Sequence, residues 1–300
     1  MAQIPATPKP ARLRRLVTAA TAGPNVLLAR DDKLQPSERA ALALRPFSAK
    51  AAPQAVVFLI PLVGRHHVGN WESTCARLGA TLAGLQRQSD SRWQAVICGQ
   101  DRPEDLPDDP RITFLPFTTP VEGNDKWRKL AQLCDHLPEL GIGAGYAMTF
   151  DADDLAHPGL VEEMMQRAAP GGYLAQTGYI LDHRADTLAC AAPRSLSQPL
   201  RKPFWKLCGS CAALRFDLAN GAAEVDFLRE MSQHEHRMFP YLARLAGRAL
   251  TALEAPRVLY LLNHGENFGA RRGRVSFKTR FVQRFRVEDD AEIRRDYRID

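Results

Sequence analysis

The 300-residue chain has no uninterrupted apolar window approaching the ~18 residues of a membrane-spanning helix, so no membrane span is expected. Lys9, Arg12, Arg14 and Arg15 are followed by Ala-Thr-Ala-Gly, not by an apolar core, so a secretory leader is not expected either. Internal repeats and low-complexity tracts are absent, and no recognised nucleic-acid motif is present. The six cysteines form no second pair at zinc spacing, and their scatter through apolar patterns suits free thiols in a reducing compartment. Cys208-Gly-Ser-Cys211 should open a helix if it were a thioredoxin-like pair. The following Ala212-Ala-Leu-Arg-Phe216 reads as a strand, so a structural role is expected ahead of a redox or metal role.

Basic charge is plentiful and unevenly placed. Residues 1–50 hold nine basic and three acidic side chains, which equals the whole formal excess of +6. Between Gly269 and Val287 stand seven more cations and no acid, so the remainder is net acidic. A basic arm and a basic tail imply an anionic partner: a nucleotide, a phospholipid surface or nucleic acid.

Hydrophobic periodicity divides the middle of the chain into alternating elements. Ala55–Pro61 is a first core strand, and Leu78, Leu82 and Leu85 mark a helix ending near Gln88. Trp93–Cys98 and Arg111–Leu115 read as strands joined by a polar, Pro-rich loop, and Asp125 opens a helix running to about Leu137. Such alternation predicts an α/β fold with a doubly wound, mainly parallel sheet flanked by helices. Leu13, Leu16 and Val17 suggest a short helix within 1–52, and Ser37–Leu44 another, in an extension expected to be partly ordered.

Tyr146-Ala-Met-Thr-Phe-Asp151-Ala-Asp153-Asp154 begins as a strand and ends in three carboxylates within four positions. Such crowding calls for a cation, a basic partner or open water. At the carboxyl end of a buried strand of an open α/β sheet, ligands are the rule, and hard carboxylate oxygens suit Mg²⁺ or Mn²⁺ with substrate phosphates. A solvated turn before a helix near Pro158 is the alternative.

These segments together resemble the nucleotide-sugar half of the family 2 glycosyltransferases, from the strand ending Ile60-Pro61 through Leu85-Gln-Arg-Gln88 to the Asp-x-Asp at Asp151–Asp153. His234-Glu235 with Arg244-Leu-Ala-Gly247 is similar to that family's acceptor-side segment, and Val258–Asn267 to its late strand. The resemblance covers about residues 54–268 and implies a GT-A fold with domains at 1–52, 53–268 and 269–300. It implies an inverting, Mn²⁺- or Mg²⁺-dependent glycosyltransferase moving a sugar from a nucleotide-sugar donor to a hydroxyl acceptor. Asp151 and Asp153 are the expected metal residues, with Asp151 alternatively at the ribose and His264 as third ligand. Glu235 is the expected general base and His234 the alternative, while a solvated Glu235 at a helix start is the plain reading. Lys126, Arg128 and Lys129 sit at a helix start, as phosphate contacts or as a surface cluster. The second strand departs from the family's Asp pair with Cys98-Gly99-Gln100-Asp101, leaving Asp101 as the nucleotide contact.

Phe277, Phe281 and Phe285 form one helical stripe, by default core-packed and otherwise laid on an anionic membrane surface. The membrane alternative suits a saccharide or lipid-linked acceptor of the cell envelope and a cytoplasmic protein peripheral to the inner face. Two other functions remain open: a sugar-phosphate nucleotidyltransferase, disfavoured by the lack of a Gly-rich signature after the first strand, and a non-catalytic basic membrane- or nucleic-acid-binding protein. Nucleic acid is not the expected partner.

Overall fold

All seven residues of β1 (Ala55–Pro61) are buried. A central parallel strand is covered on both faces, which is why it reads as a continuous apolar run and not an alternating one. In the computed structural model, which describes residues 4–263 and 275–299, β1 pairs in parallel with β2 (Trp93–Gly99) and with β4 (Ala144–Thr149). β3 (Ile112–Pro116) adds in parallel outside β2. Beyond β4 the sheet continues through β9 (Ala212–Asp217), antiparallel to β4 and to β6 (Gly172–Leu174), and ends at β10 (Thr251–Ala252). The result is the expected doubly wound, mainly parallel sheet of seven strands, ordered β3-β2-β1-β4-β9-β6-β10. Close pairing of β6 with β9 depends on Gly172: its φ is +105°, and a Cβ there would lie 2.1 Å from Ala213 O.

This order fixes where a ligand can sit. The chain runs outward from β1 to β3, then crosses back to β4 on the other flank of β1. Connections above β1 and β4 therefore diverge, and a crevice opens at their carboxyl ends. Two helices border that crevice. α4 (Trp71–Gln86) follows β1 and starts at Asn70, whose side chain accepts from Ser73 N at 2.8 Å. α5 (Lys126–Asp135) leads into β4 and packs on β1, β2 and α7 (Ala223–Ser232).

The arm is more ordered than its sequence suggests. It folds into α1 (Lys9–Thr21), α2 (Pro24–Arg30) and α3 (Pro36–Ala43), the second unforeseen, and α3 packs on α7 and on α8 (Phe239–Leu245). The reason is a buried polar node. Glu38, fully buried, pairs with Arg15 at 2.8 Å and accepts from Tyr241 Oη at 2.7 Å and Thr7 Oγ1 at 2.9 Å. Arg15 also pairs with Asp31 at 3.0 Å, so part of the arm's basicity is consumed internally.

A second sheet was not anticipated. β5 (Leu155–Ala156), β11 (Val258–Leu262), β7 (Gly178–Asp182) and β8 (Thr187–Ala191) form it in that spatial order. α9 (Val275–Arg284) packs on β7 and β8, burying Phe281 and Phe285 as the core-packing expectation required, while Phe277 stays 40% exposed. α10 (Ala291–Tyr297) closes the described chain, with Tyr297 buried. Among the described residues no helix is long and apolar enough to cross a membrane.

Removing one member of the Arg15–Glu38 pair strands a buried charge, which costs about 3–5 kcal/mol. Glu38→Ala is therefore expected to lower the unfolding free energy by that amount in urea titration, whereas Arg30→Ala, at an exposed site, should change it by less than about 0.5 kcal/mol.

Candidate functional site

A cavity of about 600 Å³ occupies the crevice. Its walls come from the loop after β1 (Pro61 to Val68), the start of α5, the turn after β4, and a far side made of Cys208, Gly209, His236, Tyr260 and Lys278. The size is that of a nucleotide-scale ligand site.

The turn after β4 distributes its three carboxylates differently. Asp154 is fully buried, with Oδ2 facing Ser210 Oγ at 2.5 Å and Cys208 Sγ at 3.2 Å. Burial, reinforced by Asp153 and Asp151, raises its pKa well above the carboxylate range and favours the neutral acid. Asp151 and Asp153 instead line the cavity. Asp151 is fixed from three directions. Its N–H donates to Ser210 Oγ at 2.8 Å, its Oδ1 accepts from Lys126 Nζ at 2.5 Å, and Gly209 leaves room beside it. A Cβ at Gly209 would stand 3.2 Å from Asp151 Oδ2. From below, the Thr81 hydroxyl of α4 lies 2.9 Å from Asp154 O and 3.1 Å from Ala152 O, holding the turn's backbone.

Three lysines line the same cavity. Burial alone would lower the Lys126 ammonium, but Asp151, Asp153 and Asp154 outweigh it and raise its pKa. Lys129, one helical turn on, is buried against Asp125 at 2.8 Å and Leu62 O at 2.6 Å; burial lowers its pKa despite Asp125. Lys278 of α9 donates to Tyr260 Oη at 2.9 Å and is likewise lowered by burial. On the same wall, burial and then the charges of Arg237, Lys278 and Lys126 depress His236 to about 3, so its imidazole is neutral. Its Nε2 is buried with no hydrogen-bond partner among the described residues.

Several expected residues therefore assemble: Asp151, Asp153 and Lys126 share one cavity. Others fall elsewhere. Arg128 is exposed and off the cavity, because helical spacing puts residues three apart, Lys126 and Lys129, on one face. His234, the alternative base, is fully buried under α3, with Nε2 at 2.7 Å from Ser37 Oγ. Glu235 is half-buried, its C=O accepting from Met238 N at 2.8 Å at the start of the turn that puts His236 on the wall. Asp101 accepts from Arg65 N at 2.8 Å, tying together the loops after β1 and β2, and does not line the cavity. Gln100 reaches Asp125 instead, at 2.5 Å. His264 lies outside the described residues. Lys278, Tyr260 and His236 were not read as site residues; only the basic tail and the His-rich 234–236 segment signalled them.

Two carboxylates on the cavity, with substrate phosphates and water completing the shell, are the donor set Mg²⁺ or Mn²⁺ commonly takes. Among the described residues no group of three His, Cys, Asp or Glu side chains is gathered for a metal.

Fold and site together define a doubly wound α/β protein with an acidic, lysine-faced ligand cavity at its switch point. No protein-family model matches the sequence, and no curated protein matches it. Among solved structures it is similar to the glycosyltransferase GlyE of Streptococcus pneumoniae TIGR4, at 12% identity and a TM-score of 0.35 over 78% of this chain and 52% of that one. The apo form of GlyE matches at 12% identity and a TM-score of 0.32, over 78% of this chain and 51% of that one. The chain thus spans about half the length of the solved structures it matches.

Cysteine burial yields a direct check. All six thiols are free, and Cys98, Cys134, Cys208 and Cys211 are at most 1% exposed. Burial pushes Cys98 and Cys134 up to about 12, far from the reactive thiolate. Titration with an aromatic disulfide reagent at neutral pH should find these four slow in the native protein and all six reactive after denaturation. A Cys208–Cys211 disulfide, or stoichiometric zinc, would contradict the structural role.

Proposed function

We propose that the protein is a nucleotide-sugar-dependent glycosyltransferase of the GT-A type, inverting and dependent on Mn²⁺ or Mg²⁺. The observation that carries the reading is that Asp151 and Asp153, in the turn after β4, share one cavity with Lys126, which pairs with Asp151 at 2.5 Å. Cleaving a nucleotide-sugar bond leaves negative charge on a diphosphate, and that charge must be met where it develops. Asp151 and Asp153 would hold the divalent cation, which supplies Lewis-acid neutralisation of the leaving diphosphate. Lys126 and Lys278 add fixed positive charge on the cavity walls. Thr81 and Ser210 keep the acidic turn in place, so little reorganisation is required on binding.

An acceptor hydroxyl attacking the sugar must lose its proton. Glu235 is the proposed base, next in the chain to the cavity-lining His236 and so about 3.8 Å away by Cα spacing. Its neighbour His236 is a poor acceptor, because burial and three surrounding cations resist its protonation. A saccharide or lipid-linked acceptor fits the hydroxyl chemistry; the donor sugar is left open by Gln100 standing where an acidic pair would read the nucleotide.

Asp153→Asn should fold normally yet lose the Mn²⁺-dependent part of UDP or GDP binding. In thermal unfolding, wild type at ~100 times the dissociation constant gains about 2.7 kcal/mol and the variant gains only the metal-independent remainder. Equal metal-dependent stabilisation of both proteins would refute the assignment. Glu235→Gln should retain nucleotide-sugar binding and transfer sugar ~10²–10⁴-fold more slowly. If His236→Ala shows that loss and Glu235→Gln does not, the base is the histidine.

A further inference from the structure

Between Asp186 and Asp217 the chain contains no acidic residue, yet it contains Arg194, Arg201, Lys202, Lys206 and Arg215. Arg215 is buried in the sheet, whereas Arg194 is exposed and Arg201, Lys202 and Lys206 are half-buried. Residues 193–200 are all exposed. They form a closed turn: Ser195 and Gln198 exchange backbone hydrogen bonds at 3.4 and 3.2 Å, and Gln198 N also donates to Ser195 Oγ at 3.1 Å. The turn holds Leu196 at its tip, 104% exposed, with Leu200 56% exposed behind it. An isolated surface leucine is ordinary, but two on a hydrogen-bonded turn, beside a 40% exposed Phe277, make a localised apolar projection.

Cations surround that projection. Lys202 Nζ stands 3.8 Å from the Phe277 ring centroid, joining the turn to α9. Arg237 donates through Nε and Nη2 to Lys206 O at 3.3 and 3.1 Å. The Lys202 ammonium is lowered first by burial and then by Arg237, Arg194 and Lys206, so the four charges sit within range of one another. None of the four forms an ion pair among the described residues. Like charges gathered without counter-charge around exposed leucines complement a surface that is anionic outside and apolar beneath. In the N-terminal arm, by contrast, Arg14 and Arg15 are paired with Asp31 and Glu38.

We propose that the turn 193–202, with Lys206, Arg237 and Phe277, seats on an anionic lipid bilayer, the leucines entering the headgroup layer and the cations facing lipid phosphates. The chain runs from this platform directly into Leu207, Cys208 and Gly209, and Lys278 follows Phe277; all four line the cavity. Docking there brings the cavity mouth to the membrane surface. The inference rests on surface charge and exposure alone and stands independently of the sugar-transfer reading.

The test is co-sedimentation of the full chain with vesicles of phosphatidylcholine alone and of phosphatidylcholine mixed with phosphatidylglycerol. Binding is expected only to the mixed vesicles and should weaken with salt. Each unit of charge removed near an anionic surface should reduce partitioning roughly fivefold, so Arg194→Glu loses about that factor twice. The double variant Leu196→Ser, Leu200→Ser should lose at least tenfold, and Arg30→Glu in the arm should bind as wild type. All these positions are exposed, and unchanged thermal unfolding would show that the variants are folded. The proposal is overturned if the chain ignores phosphatidylglycerol vesicles at low salt, or if the leucine variant binds undiminished. It is equally overturned if Arg30→Glu abolishes binding, or if inorganic phosphate too dilute to screen charge competes binding away, which would make the cations a phosphate site.

Discussion

Three carboxylates within four residues cannot all remain ionised and unpartnered at the end of a buried strand. The protein meets this constraint with a different device for each. Asp154 is turned into the interior, where Ser210 and Cys208 satisfy one oxygen and burial favours the proton. Asp151 is matched to Lys126. Asp153 lines the cavity. The surrounding structure follows from that allocation: β9 must bring 208–210 across to the turn, α4 must offer Thr81 beneath it, and α5 must begin at a lysine.

Part of the charge that reads as surplus in the sequence is assigned in the fold. Arg15 belongs to a buried node with Glu38, Asp31 and Tyr241, and a guanidinium fork suits such multiple acceptors better than an ammonium would. Lys278, from the tail, forms part of the cavity. Beside the cavity mouth, Arg194, Lys202, Lys206 and Arg237 gather without an ion pair among the described residues.

The strands flanking the crevice were legible because full burial imposes a continuous apolar run, and Asp151, Asp153 and Lys126 were legible because they sit at element ends. Errors arose where phase or long-range pairing decides. Arg128 and Lys129 differ only by 100° of helical rotation, which composition does not resolve. His234, Glu235 and His236 are consecutive, and one tight turn sends the first beneath α3 and the third to the cavity. The partners of Asp154 lie more than fifty residues further along the chain, so no local window contains them. The second sheet was missed because β7 and β8 are short, and the other edge of β7 is paired only by β11, some eighty residues away.

The arm's anchoring also has a history within each molecule. Ser37 and Glu38 dock on His234 and Tyr241, partners that follow them by 197 and 203 residues. At a synthesis rate of about 5–20 residues per second, those partners emerge roughly 10–40 s after the arm does. Throughout that interval Ser37 and Glu38 lack the His234 and Tyr241 contacts they have in the folded protein. The arm is thus held in its native place only once residues nearly two hundred positions later have been made.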